Sequence, residues 1–430
     1  MIYLHPNSMK MKKFLLLALL GVAFGSKAQT AFGTYLNPDF RTITTAVPFL
    51  SISPDSRAGG MGDVGVSTTP DANSIHWNPA KLAFLDEGQA LSLSYTPWLS
   101  NLVPDISLAY LSYYKTLGKR QTLAASLRYF SLGDITFTDE AGNFAGQFNP
   151  NEFALDVAYA LQLSDNLSAG VALRYINSNL TGGQFVQGLQ TRPGQSAAAD
   201  FSLYYESNEF DAGELDAIWT WGVNISNIGA KLSYSESGNR DFIPTNLRVG
   251  TGFLFEIDEY NKFNIHLEAN KLLVPTPNVL LKDSTGQVVL GPDDRPIILA
   301  GMDNEVPIVQ GMFQSFYDAP GVIDTVIDGE AVIEPGSVLR EELNEITLGL
   351  GAEYWYNDLF AVRTGFFYEH RSKGNRKYFT LGASVKYNVF QLDFAYLLPA
   401  TALQRSPLEN TLRFSLAFQL DGFLAGQTED

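Results

Sequence analysis

The stretch Lys377–Tyr387, with the sequence KYFTLGASVKY, decides the fold of this chain. Apolar residues such as Phe379 and Leu381 alternate in it with small or polar residues such as Thr380 and Gly382. Successive side chains of a β-strand point to opposite faces. The stretch therefore predicts a strand with one apolar face and one polar face.

The same alternation returns many times along the chain. It recurs in Phe153–Leu161, Leu167–Tyr175 and Leu412–Leu420, where the second face carries Gly, Ala, Ser and isolated charges. This pattern is typical of an outer-membrane β-barrel, apolar toward lipid and polar toward a lumen. A closed barrel is one of only two structures that cross a bilayer with every backbone group hydrogen-bonded.

We predict an all-β fold, a 14-stranded antiparallel transmembrane β-barrel; an even strand number is usual for bacterial single-chain barrels. The expected strands are 89–96, 105–116, 121–132, 152–163, 166–177, 197–207, 217–227, 246–257, 261–272, 345–355, 359–371, 377–387, 390–398 and 410–421. Short and long links alternate between them, apart from an intermediate link at 208–216. Because periplasmic turns are short and extracellular loops long, both termini are expected on the periplasmic side.

The composition excludes several classes of function. The chain has a net charge of -17, from 29 Lys and Arg against 46 Asp and Glu. Phosphate groups would repel so acidic a protein, which argues against nucleic-acid binding. With no cysteine, the chain can form no disulfide, thiolate metal site or lipid-modified N-terminal cysteine.

The N-terminus has the pattern of a secretory signal. Three lysines precede the apolar run Phe14–Phe24, and small residues end at Ala28. We expect a signal peptide over 1–28, cleaved after Ala28, and insertion of the exported protein into the bacterial outer membrane. A hatch segment over 29–88, a barrel over 89–421 and a C-terminal tail over 422–430 complete the expected organisation.

Residues 29–88 lack sustained alternation and contain a glycine-rich run. Gly60, Gly62 and Gly65 satisfy the G-x-G-x-x-G spacing of a dinucleotide loop. That interpretation is disfavoured because no apolar strand precedes the glycines and no βαβ rhythm occurs. Glycines here are expected to let an irregular segment pack tightly inside another structure.

The glycine-rich run and the Trp-Asn-Pro-Ala box that follows it resemble the N-terminal hatch of the FadL family of outer-membrane transporters. Within that family they resemble the PorV branch, an outer-membrane component of the type IX secretion system. The residues that carry this hatch motif are Arg57, Gly59, Gly60, Met61, Gly62, Asp63, Trp77, Asn78, Pro79 and Ala80. The resemblance implies a 14-stranded barrel plugged by its N-terminal residues.

The PorV resemblance implies a transport function without catalysis. Proteins of this type sit beside the type IX translocon barrel, bind the C-terminal signal domains of cargo, and deliver cargo to the attachment complex containing the sortase PorU. The alternative is a FadL-like channel for hydrophobic small molecules such as long-chain fatty acids. The hatch motif favours the first function over the second.

The residues do not predict an enzyme, a cofactor or a metal site. Outside the signal region the chain has three histidines, His76, His266 and His370, and no H-E-x-x-H motif. His266 is expected to face the lumen with Glu268, as part of a polar network that stabilises the hatch.

The longest predicted link, 273–344, is expected to be an extracellular loop. Loops of this length are usually functional or disordered. Its apolar segment suggests a docking surface, since exposed apolar groups often mark partner sites. The candidate cargo-binding residues are Val306, Met312, Phe313, Phe316 and Tyr317.

Deleting residues 306–317 tests this interpretation. We expect the barrel to fold, because the loop is not part of the strand pattern, and the capture of cargo signal domains to be lost. A pull-down with immobilised signal domain measures capture; normal capture by the deletion variant would exclude this segment as the binding site.

Overall fold

The computed structural model describes residues 41–420, apart from 87, 100–102, 104, 139–143, 184, 187–188, 236–239, 284, 328–329, 401–407 and 409–410. The predicted signal peptide with its cleavage after Ala28, residues 29–40 of the predicted hatch segment and the predicted tail 422–430 lie outside the described residues.

Fourteen strands form one closed antiparallel barrel. In chain order they are β1 Gln89–Pro97, β2 Ile106–Thr116, β3 Gln121–Leu132, β4 Asn151–Gln162, β5 Leu167–Asn179, β6 Gly194–Glu206, β7 Asp216–Gly229, β8 Asn246–Asp258, β9 Asn261–Leu272, β10 Thr347–Tyr356, β11 Phe360–Tyr368, β12 Lys377–Tyr387, β13 Phe390–Pro399 and β14 Leu412–Gln419. Each strand pairs with its neighbours in the chain. The barrel closes where β1 pairs with β14, with Leu93 opposite Leu416.

The predicted fold class is confirmed, and each predicted strand is present with boundaries shifted by a few residues. On β12, Phe379 and Leu381 are about half exposed (49% and 50%), whereas Tyr378 and Thr380 are buried (4% and 1%). The two-residue alternation therefore separates an apolar outer wall from a filled lumen. Among the described residues, no helix is long and apolar enough to cross a membrane.

The N-terminal residues 41–86 form an irregular plug that packs against the lumen-facing side chains. Its regular elements are two 3-10 helices, Pro48–Ser51 and Pro79–Phe84, and two short α-helices, α1 Ser56–Gly59 and α2 Ser74–Trp77. Asp55 caps α1, because its Oδ1 accepts a hydrogen bond of 3.0 Å from the Ala58 backbone N–H.

The described part of the long link between β9 and β10 contains regular secondary structure. It contains two antiparallel hairpins, Val279–Leu280 with Ile298–Ala300 and Ile323–Ile327 with Glu330–Ile333. It also contains the helices α3 Ile308–Gln314 and α4 Ser337–Asn344.

The plug approaches the barrel wall so closely that some lumen positions admit only glycine. A Cβ atom on Gly365 of β11 would lie 2.1 Å from the backbone N of Gly62. Gly62 itself has a φ of +71°, which disfavours any other residue there. The backbones of the plug and the wall are therefore in direct contact at this point.

We expect Gly365→Leu to displace the plug, because the plug backbone cannot move away from a new side chain without losing its other contacts. Thr364→Leu is the matched control, since Thr364 is the neighbouring residue on the exposed outer face. Limited proteolysis of residues 41–86 in detergent measures the effect, and heat-modifiable migration reports barrel integrity. Equal protease resistance in both variants would contradict the close contact.

Candidate functional site

Arg57 anchors the plug to the barrel wall. Its guanidinium donates to both carboxylate oxygens of Glu353 on β10, at 3.1 and 2.9 Å. It also donates to the Thr69 carbonyl at 3.0 Å and to the Asp71 carboxylate at 2.9 Å. A bidentate pair between charged groups is the strongest kind of hydrogen bond in proteins. Arg57 thus joins two segments of the plug, its own helix α1 and residues 69–71, to strand β10.

The Arg57 contact continues across the wall as a chain of buried charges. Glu353 also accepts a bond of 2.6 Å from Arg363 on β11. Arg363 in turn donates to Asp393 on β13 at 2.7 Å. Because each charge has an opposite partner, the desolvation cost of burying them is offset.

Asp63 forms a second anchor at the end of the glycine-rich run. Arg413 of β14 and the hydroxyl of Tyr378 of β12 each donate to its carboxylate at 2.5 Å. Burial alone would raise the pKa of Asp63, but the Arg413 guanidinium and these hydrogen bonds hold it below its usual value. The carboxylate therefore stays ionised inside the lumen.

Between these anchors, the remaining residues of the run lie flat against the wall. A Cβ on Gly59 would lie 2.3 Å from Nη1 of Arg413, and one on Gly60 would lie 3.1 Å from the Gly382 Cα. Met61 is buried with 1% exposure. The backbone N–H of Gly62 donates to Thr380 at 2.8 Å. This part of the hatch motif therefore forms one continuous contact with the wall.

The second part of the hatch motif docks on β5 and β6. The Asn78 side-chain amide donates to the carbonyls of Val66 and Leu203 at 2.9 and 3.0 Å. Its Oδ1 accepts from the Ala80 N–H at 3.0 Å, which caps the 3-10 helix that Pro79 begins. The Ala80 carbonyl accepts from Ser168 at 2.7 Å. One asparagine thus joins the plug, its own helix and a barrel strand.

Trp77 connects the two parts of the motif. Its indole N–H donates to Asp55 at 2.7 Å, and a Cβ on Gly65 would lie 2.3 Å from its ring. Burial raises the pKa of Asp55 to about 6, and the Asp71 carboxylate adds to that shift. Burial also lowers the pKa of Lys81 to about 8, although the Asp71 carboxylate opposes it. Both shifts follow from the burial of these groups in the plug interior.

A cluster of ion pairs holds helix α4 and its end over the barrel rim. Three cations from different parts of the chain contact its carboxylates: Lys271 with Glu342 at 3.0 Å and Glu345 at 2.7 Å, Lys373 with Glu341 and Glu345 at 2.9 Å, and Arg41 with Glu341 at 2.9 Å. The cations come from β9, from the link between β11 and β12, and from the plug. The long loop is therefore fixed to both the wall and the plug.

The predicted cargo-binding residues differ in how far their side chains are exposed. Phe313, Phe316 and Tyr317 are exposed, at 67%, 48% and 59%. Val306 is buried in a small core with Phe242 and Val274. Met312 is half-buried. Val306 thus supports the loop from inside and does not lie on its surface.

Further exposed apolar residues lie on the same loop. Val309 is 61% exposed and lies one helical turn from Phe313, so the two side chains share one face of α3. We define the aromatic patch as Val309, Phe313, Phe316 and Tyr317. Leu339 and Leu343 are likewise exposed, at 65% and 58%, on one face of α4. Within each pair, Val309 with Phe313 and Leu339 with Leu343, the two apolar residues are four positions apart in the sequence. This spacing was the sequence signal that could have identified the exposed helix faces.

The described residues contain no group of three or more His, Cys, Asp or Glu side chains placed to hold a metal ion. His76 packs edge-on against Trp77 and lies 2.6 Å from Arg128. His266 faces the lumen, 3.5 Å from the Ser67 hydroxyl. Glu268, two residues further on, accepts hydrogen bonds from the plug N–H groups of Gly65 and Val66. The role predicted for His266 and Glu268, a polar network that stabilises the hatch, stays a prediction.

We expect Glu353→Gln to lower the free energy of unfolding by about 3–5 kcal/mol, because it leaves two buried guanidinium groups without their shared carboxylate. Arg120→Gln is the control, since it breaks an ion pair whose side chains are 58% and 86% exposed. That change should cost less than about 1 kcal/mol. Urea unfolding of the refolded barrel, followed by tryptophan fluorescence, measures both. Equal costs would contradict the anchoring role of Glu353.

Solved structures with a similar strand layout are outer-membrane transporters. The toluene transporter TbuX of Ralstonia pickettii is 13% identical, with a TM-score of 0.42 over 85% of this chain and 97% of its own. The toluene transporter TodX of Pseudomonas putida is 12% identical, with a TM-score of 0.46 over 89% and 99%. A Pseudomonas aeruginosa FadL homologue is 11% identical, with a TM-score of 0.40 over 88% and 99%. At these values the likenesses carry no functional conclusion.

Sequence comparison is more informative. No curated protein sequence matches the chain. The family model of the type IX secretion system protein PorV matches residues 36–279, more than half of the chain, including the hatch motif and strands β1–β9. With its closed barrel and apolar outer wall, the chain is therefore an outer-membrane protein that belongs to the PorV family of type IX secretion system proteins.

Proposed function

We propose that this protein binds the C-terminal signal domains of cargo at the type IX translocon barrel and shuttles the cargo to the attachment complex that contains the sortase PorU. Membership of the PorV family supports a role in this secretion system. The aromatic patch is the single structural observation that supports binding of a protein partner.

The aromatic patch has the properties of a binding surface. Aromatic side chains supply large contact areas at a low cost in conformational entropy. Phe313 and Tyr317 are 67% and 59% exposed. Contiguous exposed apolar groups on a soluble surface mark interaction sites.

The patch is also held in place, which favours affinity. Lys271 contacts both the patch and helix α4. Its Nζ lies 5.7 Å from the centre of the Phe316 ring and 3.0 Å from the Glu342 carboxylate on α4. Gly311 of α3 packs on Phe242, where a Cβ would lie 2.9 Å from the ring. A preorganised surface loses less conformational entropy when it binds.

The small-molecule channel is less well supported. It needs an apolar path through the lumen, for which glycines on the inner wall would make room. The plug instead occupies the space beside several of them: Val66 against Gly250, Val64 against Gly349 and Met61 against Gly351, whereas His266 lies against Gly252. In the described part of the lumen, these glycines accommodate plug and side-chain atoms.

We expect the double variant Phe313→Ser, Tyr317→Ser to bind a cargo signal domain at least about tenfold more weakly, since truncating central aromatic residues often costs 2 kcal/mol or more. This variant is sharper than deletion of 306–317, which also removes the buried Val306. Leu290→Ser is the control, because Leu290 is 54% exposed on another part of the same loop. Surface plasmon resonance with immobilised signal domain measures affinity. Unchanged affinity in the double variant, or equal loss in the control, would argue against the patch.

Co-purification from detergent-solubilised outer membrane separates the two functions. A very large barrel partner, with cargo carrying its signal domain, would support the shuttle. Bound lipid without any protein partner would support the channel.

A further inference from the structure

A cavity of about 290 Å³ lies at the long-loop end of the lumen, between the plug and the wall. The ends of β8 to β11 line it, together with plug residues and the link between β11 and β12. Its polar lining includes three cations and three carboxylates: Arg248, Lys373 and Arg376, and Asp63, Glu345 and Glu369. Asn246, Asn270 and Thr347 line it as well. Ligand pockets for drug-sized molecules are roughly 300–1,000 Å³, so this cavity suits a small ligand and is too small for a long acyl chain.

Arg248 of β8 stands out among the groups that line the cavity. It is buried with 7% exposure. Among the described residues it donates no hydrogen bond, and its Nη1 is buried without a partner. Its contacts are the Trp77 ring, 5.2 Å from the guanidinium carbon, and Glu268, whose Oε1 lies 3.9 Å from Nε.

The nearby carboxylate of Glu268 does not satisfy this guanidinium. Its Oε2 accepts two plug N–H groups, from Gly65 at 2.8 Å and Val66 at 2.9 Å. These bonds hold the carboxylate toward the plug. A distance of 3.9 Å to Oε1 is too long for a hydrogen bond.

Other lumen arginines each donate at least one short hydrogen bond to an acceptor of the protein. Arg57, Arg363 and Arg413 each donate to a carboxylate at 3.1 Å or less. Arg128 donates to the Leu50 carbonyl at 2.7 Å. Arg363 Nη2 and Arg413 Nε are also buried without a partner, but each of these arginines donates through another nitrogen. Arg248 differs because, among the described residues, none of its nitrogens donates to a carboxylate or a carbonyl, and because it lines a cavity.

The other charges at the cavity are paired with one another. Lys373 contacts Glu341 and Glu345, both at 2.9 Å. Arg376 donates to both oxygens of Glu369 at 2.8 Å. Asp63, as described above, is bound by Arg413 and Tyr378. The positive charge without a hydrogen-bonded counter-ion is that of Arg248.

We propose that this cavity binds a small anion, a carboxylate or a phosphate group, with Arg248 as its main ligand. Arginine presents planar, paired donors that match the oxygens of these two groups. Asn246 and Asn270 line the same cavity. The Asn246 amide donates to Asn270 at 3.4 Å, and their remaining amide groups supply further hydrogen-bonding positions. The anion is either a free solute or the headgroup of a short anionic lipid, because both present the same oxygens.

The test uses the full-length mature protein folded in detergent, with ionic strength held constant by sodium chloride. Isothermal titration with inorganic phosphate, acetate, glycerol 3-phosphate and a short-chain phosphatidic acid measures binding. We expect saturable binding of at least one of these, weakened about tenfold or more in Arg248→Gln. Arg248→Lys, which keeps the charge, should retain part of the affinity.

The choice of probes separates the sources of the anion. Binding of phosphate or acetate alone supports a free solute, and binding of phosphatidic acid or glycerol 3-phosphate without the simple anions supports a lipid headgroup. Heat-modifiable migration checks that each variant is folded. If the folded wild type binds none of the four probes, or binds them as well as folded Arg248→Gln, the cavity holds water alone and the proposal is wrong.

Discussion

The closed ring of backbone hydrogen bonds is the constraint on which the rest of this structure depends. Lipid offers no hydrogen-bonding partner, so the first and last strands must pair, as they do at Leu93 and Leu416. Closure assigns every second residue to the interior. The interior then holds charged side chains that are costly to leave unpaired, and the plug supplies partners for some of them, such as Arg57 for Glu353.

The plug and the wall depend on each other for this reason. Glu353 accepts from Arg57 of the plug and from Arg363 of the neighbouring strand, so neither partner alone satisfies it. These pairs depend on close contact between the plug backbone and the wall, as at Gly365. Only at such a short separation can the carboxylates of one part contact the guanidinium groups of the other. The hatch motif is therefore a set of contacts that seats one segment inside the barrel.

The plug and the barrel together hold the long loop between β9 and β10 in place. Lys271 and Lys373 belong to the barrel and its links, Arg41 belongs to the plug, and all three bind carboxylates at α4. The loop is thereby coupled to the seating of the plug. The aromatic patch and the cavity lie at the same end of the barrel, the end that carries the long link between β9 and β10.

Two-residue alternation determined the strands, their inner and outer faces, and the barrel, because a side chain's face depends only on its position in its own strand. The glycine-rich run and the Asn-Pro-Ala box likewise indicated a tightly packed plug. Only the tertiary structure decided which charges meet, since Arg57 and Glu353 are 296 residues apart in the chain. It also decided that Val306 is buried while Phe313 is exposed, and that Arg248 lacks the partner its neighbours have. Such pairings depend on strand register and on distances across the lumen, which local sequence does not encode.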